Sequence, residues 1–235
     1  MLPTRFAAAL AFLAAMAAQA GSFSAVPVRL TLAAGSKSTS LLLENKGDEP
    51  VLVQAELMSW IQHEGDDVLS PSRDLVVSPP IFTILPGAAQ TVRVGLLRPA
   101  DPGRELTYRL FLQEVPPPQQ PNRRGVSVAL RLSLPVFVLP RGPAAPALAW
   151  RAAPKPEGAI RLTLANSGNS HVQAIDCRIY LPDGALIAAH NLSGYVLSGQ
   201  TRSWQIKPSQ PWRGERLKLV ARTDIGDITA EIMPE

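Results

Sequence analysis

Residues 126–138 sort their side chains by parity. Val126, Val128, Leu130, Leu132, Leu134, Val136 and Val138 fall on one phase, and Ser127, Ala129, Arg131, Ser133, Pro135 and Phe137 on the other. Successive strand side chains point to opposite faces, so the pattern predicts one long β-strand with an aliphatic ridge. Proline donates no ladder hydrogen bond and belongs on edge strands or at bulges, so Pro135 places part of this strand at a sheet border. A long aliphatic edge is a template for another chain's strand. The segment is either an ordinary core strand or one kept exposed for a partner.

The rest of the chain repeats the style on a shorter scale. Alternating segments are predicted at 26–32, 38–44, 51–61, 75–78, 81–85, 91–97 and 105–115, separated by Gly, Pro, Asn and Asp. Beyond the long strand, further segments fall at 159–166, 171–181, 185–189, 193–197, 202–206, 217–223 and 227–232. Many short strands with turn signals at this spacing indicate antiparallel sandwiches. No stretch outside the first twenty or so residues carries a helical stripe. The run Leu139-Pro140-Arg141-Gly142-Pro143-Ala144-Ala145-Pro146 breaks the pattern, and its prolines make a semi-rigid hinge between two all-β domains. The boundaries expected are 1–20, 21–140 and 141–235.

Composition adds the compartment. Arg5 precedes an apolar run ending in Ala18-Gln19-Ala20, the form of a secretory signal peptide cleaved before Gly21. That run is shorter than the ~20 residues a membrane-spanning helix needs, and no later segment reaches that length, so no stable membrane insertion is expected. Cys177 is the one cysteine, which excludes an intrachain disulfide and reads as a small buried hydrophobe. The formal charge of +4 is spread over scattered arginines and lysines rather than clustered, which argues against nucleic acid as a partner.

Chemistry is sparse. His63, His171 and His190 have no metal-ligand spacing, and there is no Gly-x-Ser-x-Gly elbow or phosphate loop, so no enzyme, metal or cofactor is expected. Glu64, Asp66 and Asp67 read as a solvated turn. Trp60, Trp150, Trp204 and Trp212 read as packing residues.

Several segments resemble, in order and spacing, the N-terminal domain of the periplasmic pilus-assembly chaperones typified by PapD. They are Val26-Pro27-Val28-Arg29-Leu30; Asn45-Lys46-Gly47; Pro79-Pro80-Ile81-Phe82-Thr83-Ile84-Leu85-Pro86-Gly87; Val92-Arg93-Val94; Arg104-Glu105; Tyr108-Arg109-Leu110-Phe111-Leu112-Gln113-Glu114-Val115-Pro116-Pro117; and the long strand. The second domain matches more loosely, through Asn166-Ser167-Gly168-Asn169-Ser170-His171. The Leu134-Pro135-Val136-Phe137 variant is similar to the divergent, archaic branch of these chaperones.

The resemblance implies two immunoglobulin-like sandwiches in a boomerang-like arrangement. It implies a periplasmic chaperone that lends a strand to pilus subunits with incomplete immunoglobulin folds and delivers them to an outer-membrane usher. Val126, Val128, Leu130 and Leu132 would be the lent residues. Arg29 would hold the subunit's terminal carboxylate, against the plainer alternative of a solvated strand charge. The family usually adds a lysine on the last strand of the first domain; here Pro135 occupies that position, so the second cation is Arg109, Arg131 or absent. The rival expectation is an exported structural or adhesive tandem of immunoglobulin-like domains.

Overall fold

The computed structural model describes residues 23–116 and 128–233; the expected signal peptide and Val126 lie outside the described residues. Apart from one 3-10 turn at Pro156–Gly158, every regular element among them is a strand. The first domain runs β1 (Phe23–Val26), β2 (Leu30–Leu32), β3 (Ser38–Asn45), β4 (Val51–His63), β5 (Asp66–Pro71), β6 (Leu75–Ser78), β7 (Ile81–Ile84), β8 (Ala89–Leu96), β9 (Leu106–Glu114) and β10 (Arg131–Val138). The second runs β11 (Leu148–Pro154), β12 (Ile160–Asn166), β13 (Val172–Tyr180), β14 (Leu186–Val196), β15 (Thr201–Ile206), β16 (Leu217–Thr223) and β17 (Gly226–Ile232).

Each domain is an immunoglobulin-like sandwich. In the first, the sheet β1-β3-β8-β6 faces the sheet β2-β10-β9-β4-β5, in which β7 also pairs with β4. Alternation of inward and outward residues fills the space between with Leu30, Leu43, Val53, Val92, Leu110, Leu112 and Val136, all fully buried. In the second, β11-β12-β15 faces β14-β13-β16-β17 around Ile160, Leu162, Ile179 and Leu219.

One buried asparagine recurs in both. The Asn45 side chain accepts from Gly47 N (2.9 Å) and donates to Glu49 O (2.7 Å) and Ile84 O (3.0 Å). Asn166 accepts from Gly168 N (3.0 Å) and donates to Ser170 O (2.7 Å) and Val196 O (3.1 Å). Each closes its loop and ties it to another strand, satisfying backbone groups that burial would otherwise leave unpaired. The Asn166–Asn169 loop also grips the hinge. Ala147 N donates to Asn166 Oδ1, Ser167 N to Ala147 O, Ala145 N to Asn169 Oδ1, and Asn169 Nδ2 to Pro143 O.

The structure corrects several expectations. The long strand spans only Arg131–Val138; Val128 and Ala129 are exposed and outside it, and the ladder with β9 ends where Glu114 N reaches Leu130 O at 2.8 Å. The segment 26–32 is two strands, because the chain leaves one sheet at the cis Val26–Pro27 peptide and enters the other at Leu30. Only Glu64 and Gly65 form the acidic turn, with φ of 52° and 89°, and Asp66–Pro71 pairs with β4 as a strand. All of β5 is exposed, so it carries no apolar period to read. Segments 185–189 and 193–197 are one strand, Leu186–Val196, and Leu148–Pro154 is a strand that was not expected.

Candidate functional site

β10 has two neighbours at one end and one at the other. It pairs with β9 along its whole length, but with β2 only at Val136–Val138, in parallel register. Among the described residues, no strand lies beyond Arg131, Leu132, Ser133, Leu134 and Pro135. Leu130 O faces β9, and Leu139 N reaches Leu32 O in β2 at 3.0 Å. Backbone polar groups alternate sides along a strand, so even positions of β10 face β9 and odd positions face outward or toward β2. The outward groups are therefore those of Arg131, Ser133 and Pro135. Pro135 has no N–H to leave unpaired, and sits where the edge meets β2.

Side chains of the same strand divide the other way. Leu134, Val136 and Val138 are buried in the first domain's core, and Leu130 and Leu132 are partly buried against it. Val128 stands 65% exposed. Of the four residues expected to be lent, then, one lies outside the described residues, one is free, and two already lean on their own domain.

The outer face of this sheet carries a second feature, where the two domains meet. Trp60, Phe137 and Leu197 are buried together with Tyr195 packed on them. Phe137 stacks on His171 with ring centroids 3.5 Å apart and planes 7° from parallel, and Tyr195 meets Trp60 edge-on at 5.4 Å. Polar contacts lock the joint. Gln62 donates to Tyr195 O (2.9 Å) and accepts from Leu197 N (3.0 Å); the buried Glu105 carboxylate accepts from His171 N and faces its Nδ1, both at 2.8 Å. Polar contacts of this kind, made from both sides of the joint, favour one arrangement of the two domains, although the buried Trp60 Nε1 is left without a partner.

Arg29 and Arg109 sit on this joint, not in open solvent. Arg29 donates to Asp224 Oδ2 and Gln173 Oε1, both at 2.6 Å and both from the second domain, yet its side chain is still 32% exposed. Burial acts to lower its pKa, but Asp224 and Tyr195 outweigh that and the net direction is up, so the charge is secure. Arg109 sits over Trp60, its Cζ 3.8 Å from the ring centroid, with Asp67 at 4.0 Å. Burial draws its pKa below the usual guanidinium value, partly offset by Asp67 and Tyr195.

The structure brings two of the three candidate cations together. Arg29 and Arg109 lie 5.7 and 5.6 Å from the centroid of Tyr195. Arg131 is apart: its guanidinium covers Phe111 at 4.2 Å, four residues or ~13 Å along the strand from Pro135. Arg109 is directly opposite Pro135 in the β9–β10 register, on the same face, so it sets a cation one strand over from the proline.

Sequence reasoning did not single out His171, Tyr195, Asp224 or Gln62 as parts of a site. They lie on strand ends and loops far apart in the chain, and only the docking of two domains unites them. Among the described residues there is no group of three His, Cys, Asp or Glu placed to hold a metal, and no helix long and apolar enough to cross a membrane.

Comparison with known proteins accords with this architecture. Residues 22–144 match the family described as pili and flagellar-assembly chaperone, PapD N-terminal domain. The chaperone protein FimB/FhaD of Bordetella pertussis is 32% identical over 126 residues, 48% of this chain and 49% of that protein. The probable fimbrial chaperone YadV of Escherichia coli is 29% identical over 153 residues, 59% of each. The chain thus spans about half to three fifths of these relatives' lengths. Among solved structures, the CsuC-CsuE chaperone-tip adhesion subunit pre-assembly complex of Acinetobacter baumannii superposes with a TM-score of 0.69 at 23% identity, covering 92% of this chain and 100% of that one. The Salmonella enterica SafA pilin–SafB chaperone complex gives 0.65 at 16% identity, covering 92% and 98%. With the family match extending over more than half of its length, the chain belongs to the PapD-type pili and flagellar-assembly chaperones.

Proposed function

We propose that this chaperone captures a pilus subunit with an incomplete immunoglobulin fold by adding the outward edge of β10 to the subunit's open sheet. The observation that carries this is a strand paired on one side only from Arg131 to Pro135, ending beside two arginines on the domain joint. Strand addition supplies affinity through backbone hydrogen bonds and specificity through alternate side chains. Val126, Val128, Leu130 and Leu132 are the residues lent. A fully buried aliphatic side chain contributes ~1.5–3 kcal/mol, and Leu130 and Leu132 fall below that range because part of their surface is already covered at home. Capture is therefore moderate, which suits a client passed on later.

Arg29 and Arg109 hold the subunit's terminal carboxylate. A planar guanidinium meets both oxygens at once, and two of them fix where the subunit strand ends. That sets register, and a one-residue slip would turn every side chain to the wrong face. Arg131 supports the subunit farther along the edge. The joint lies in the 141–235 domain as much as in the 21–140 domain, so both take part. Export to the periplasm by a cleaved signal peptide and delivery to an outer-membrane usher complete the pathway; fimbrial chaperones among the relatives, and solved complexes of such chaperones with a pilin or a tip subunit, support it.

Co-expression with a fimbrial subunit lacking its final strand tests this. The wild-type chain should keep the subunit soluble and co-purify with it. Arg29→Ala together with Arg109→Ala should lose the subunit while the chaperone stays folded. Recovery of the subunit in equal yield from the double variant, or without any chaperone, contradicts it.

A further inference from the structure

Tyr195 is placed by more contacts than a packing residue needs. Its ring is bounded by Trp60 at 5.4 Å, Phe137 at 5.6 Å and His171 at 5.6 Å, so it has one position. Its backbone carbonyl is pinned by Gln62 from the other domain. Both cations stand over its ring, the Cζ of Arg29 5.7 Å and that of Arg109 5.6 Å from the centroid. Its hydroxyl is near enough to both guanidinium groups to act on their pKa values, raising that of Arg29 and opposing the effect of burial on Arg109.

A guanidinium has donors only. Toward such neighbours the Tyr195 oxygen can only present its lone pairs, which leaves its own proton free for an outside acceptor. A hydroxyl polarised by one cation and flanked by a second is a strong donor to an anion. Arg29 spends two of its five N–H groups on Asp224 and Gln173, so donors remain for an incoming carboxylate without displacing either.

We infer that Tyr195, from the second domain, is a third member of the anchor for the subunit's terminal carboxylate, donating its hydroxyl proton to one oxygen while Arg29 and Arg109 neutralise the charge. This rests on the carboxylate-anchor function proposed above. The anchor is then incomplete within the first domain, and the register of the added strand depends on the joint staying closed. Tyr195 is a specificity-determining residue: it distinguishes a chain end from an internal peptide.

The test uses the full chain and two synthetic peptides. One is an acetylated hexapeptide of alternating valine and threonine with a free carboxylate; the other is the same peptide amidated. Calorimetric titration of the wild type should favour the free acid by about tenfold or more. In Tyr195→Phe, which keeps the ring and its contacts, that preference should fall by about fivefold or more while affinity for the amide is unchanged. A purely structural role would weaken both peptides alike. As a second readout, the 13Cζ resonance of Tyr195 in the wild type should move with the acid and not with the amide. Full acid preference in Tyr195→Phe, or an unmoved resonance, overturns the Tyr195 assignment and leaves the arginine anchor standing. No acid preference in the wild type overturns the anchor itself.

Discussion

Glu114 and Leu130 close the last rung between β9 and β10 twice over: Glu114 N donates to Leu130 O at 2.8 Å, and the Glu114 carboxylate accepts from Leu130 N at 3.2 Å. That rung fixes which backbone groups of β10 are spent and which are open. Ser133 N–H points outward and Leu134 N–H points to β9.

The two neighbours should therefore respond oppositely to proline. Ser133→Pro removes a donor that the free chaperone does not use, as Pro135 already does, and should shift Tm by only a few degrees while reducing subunit capture at least tenfold. Leu134→Pro removes a ladder bond and a buried leucine, and should cost about 3 kcal/mol or more. Thermal melts with co-purification yields check both; similar melts for the two variants would contradict the register.

Gly168 meets the hinge. A Cβ there would stand 2.4 Å from Ala145 O and Ala147 N, backbone atoms that cannot swing aside. Gly168→Ala should cost about 1–3 kcal/mol and alter the angle between the domains. Denaturation and small-angle scattering read the two effects, and an unchanged scattering curve would show that the Asn166–Asn169 loop does not set the joint.

Strand existence was largely legible, because a one-sided sheet writes its burial as alternation: Leu75–Ser78 and Leu217–Thr223 fall where the pattern puts them. Failures occurred where that code is silent. β5 has no buried face, and the apolar parity of 26–32 (Val26, Val28, Leu30, Leu32) runs on although the chain changes sheets after Val26 and leaves Val26 and Val28 exposed. The parity of 126–138 likewise outlasts its ladder. Arg29 stood out through the family resemblance alone. Its partners Asp224 and Gln173 come from 195 and 144 residues away, a proximity that no local pattern encodes.

Cys177 supplies a pH test of packing. Burial, and then the neighbouring Asp176 carboxylate, push its thiol up from 9.0 to about 11. The folded chain thus holds the proton more tightly than the unfolded one, and stability falls as pH rises from about 9 to about 11, by up to about 2 kcal/mol. Urea denaturation across that range should show the decline in the wild type and a flatter profile in Cys177→Ala. Parallel profiles would place the thiol in contact with water.

The central claim concerns one row of backbone groups, and residue-resolved amide hydrogen exchange reads them directly. In the free protein, Arg131 and Ser133 amides should exchange quickly while Leu132 and Leu134 are protected by β9. In the complex with a subunit lacking its final strand, Arg131 and Ser133 should slow by at least a hundredfold and Leu132 and Leu134 should change little. Protection of Arg131 and Ser133 already in the free chain, or no gain on capture, would contradict the account.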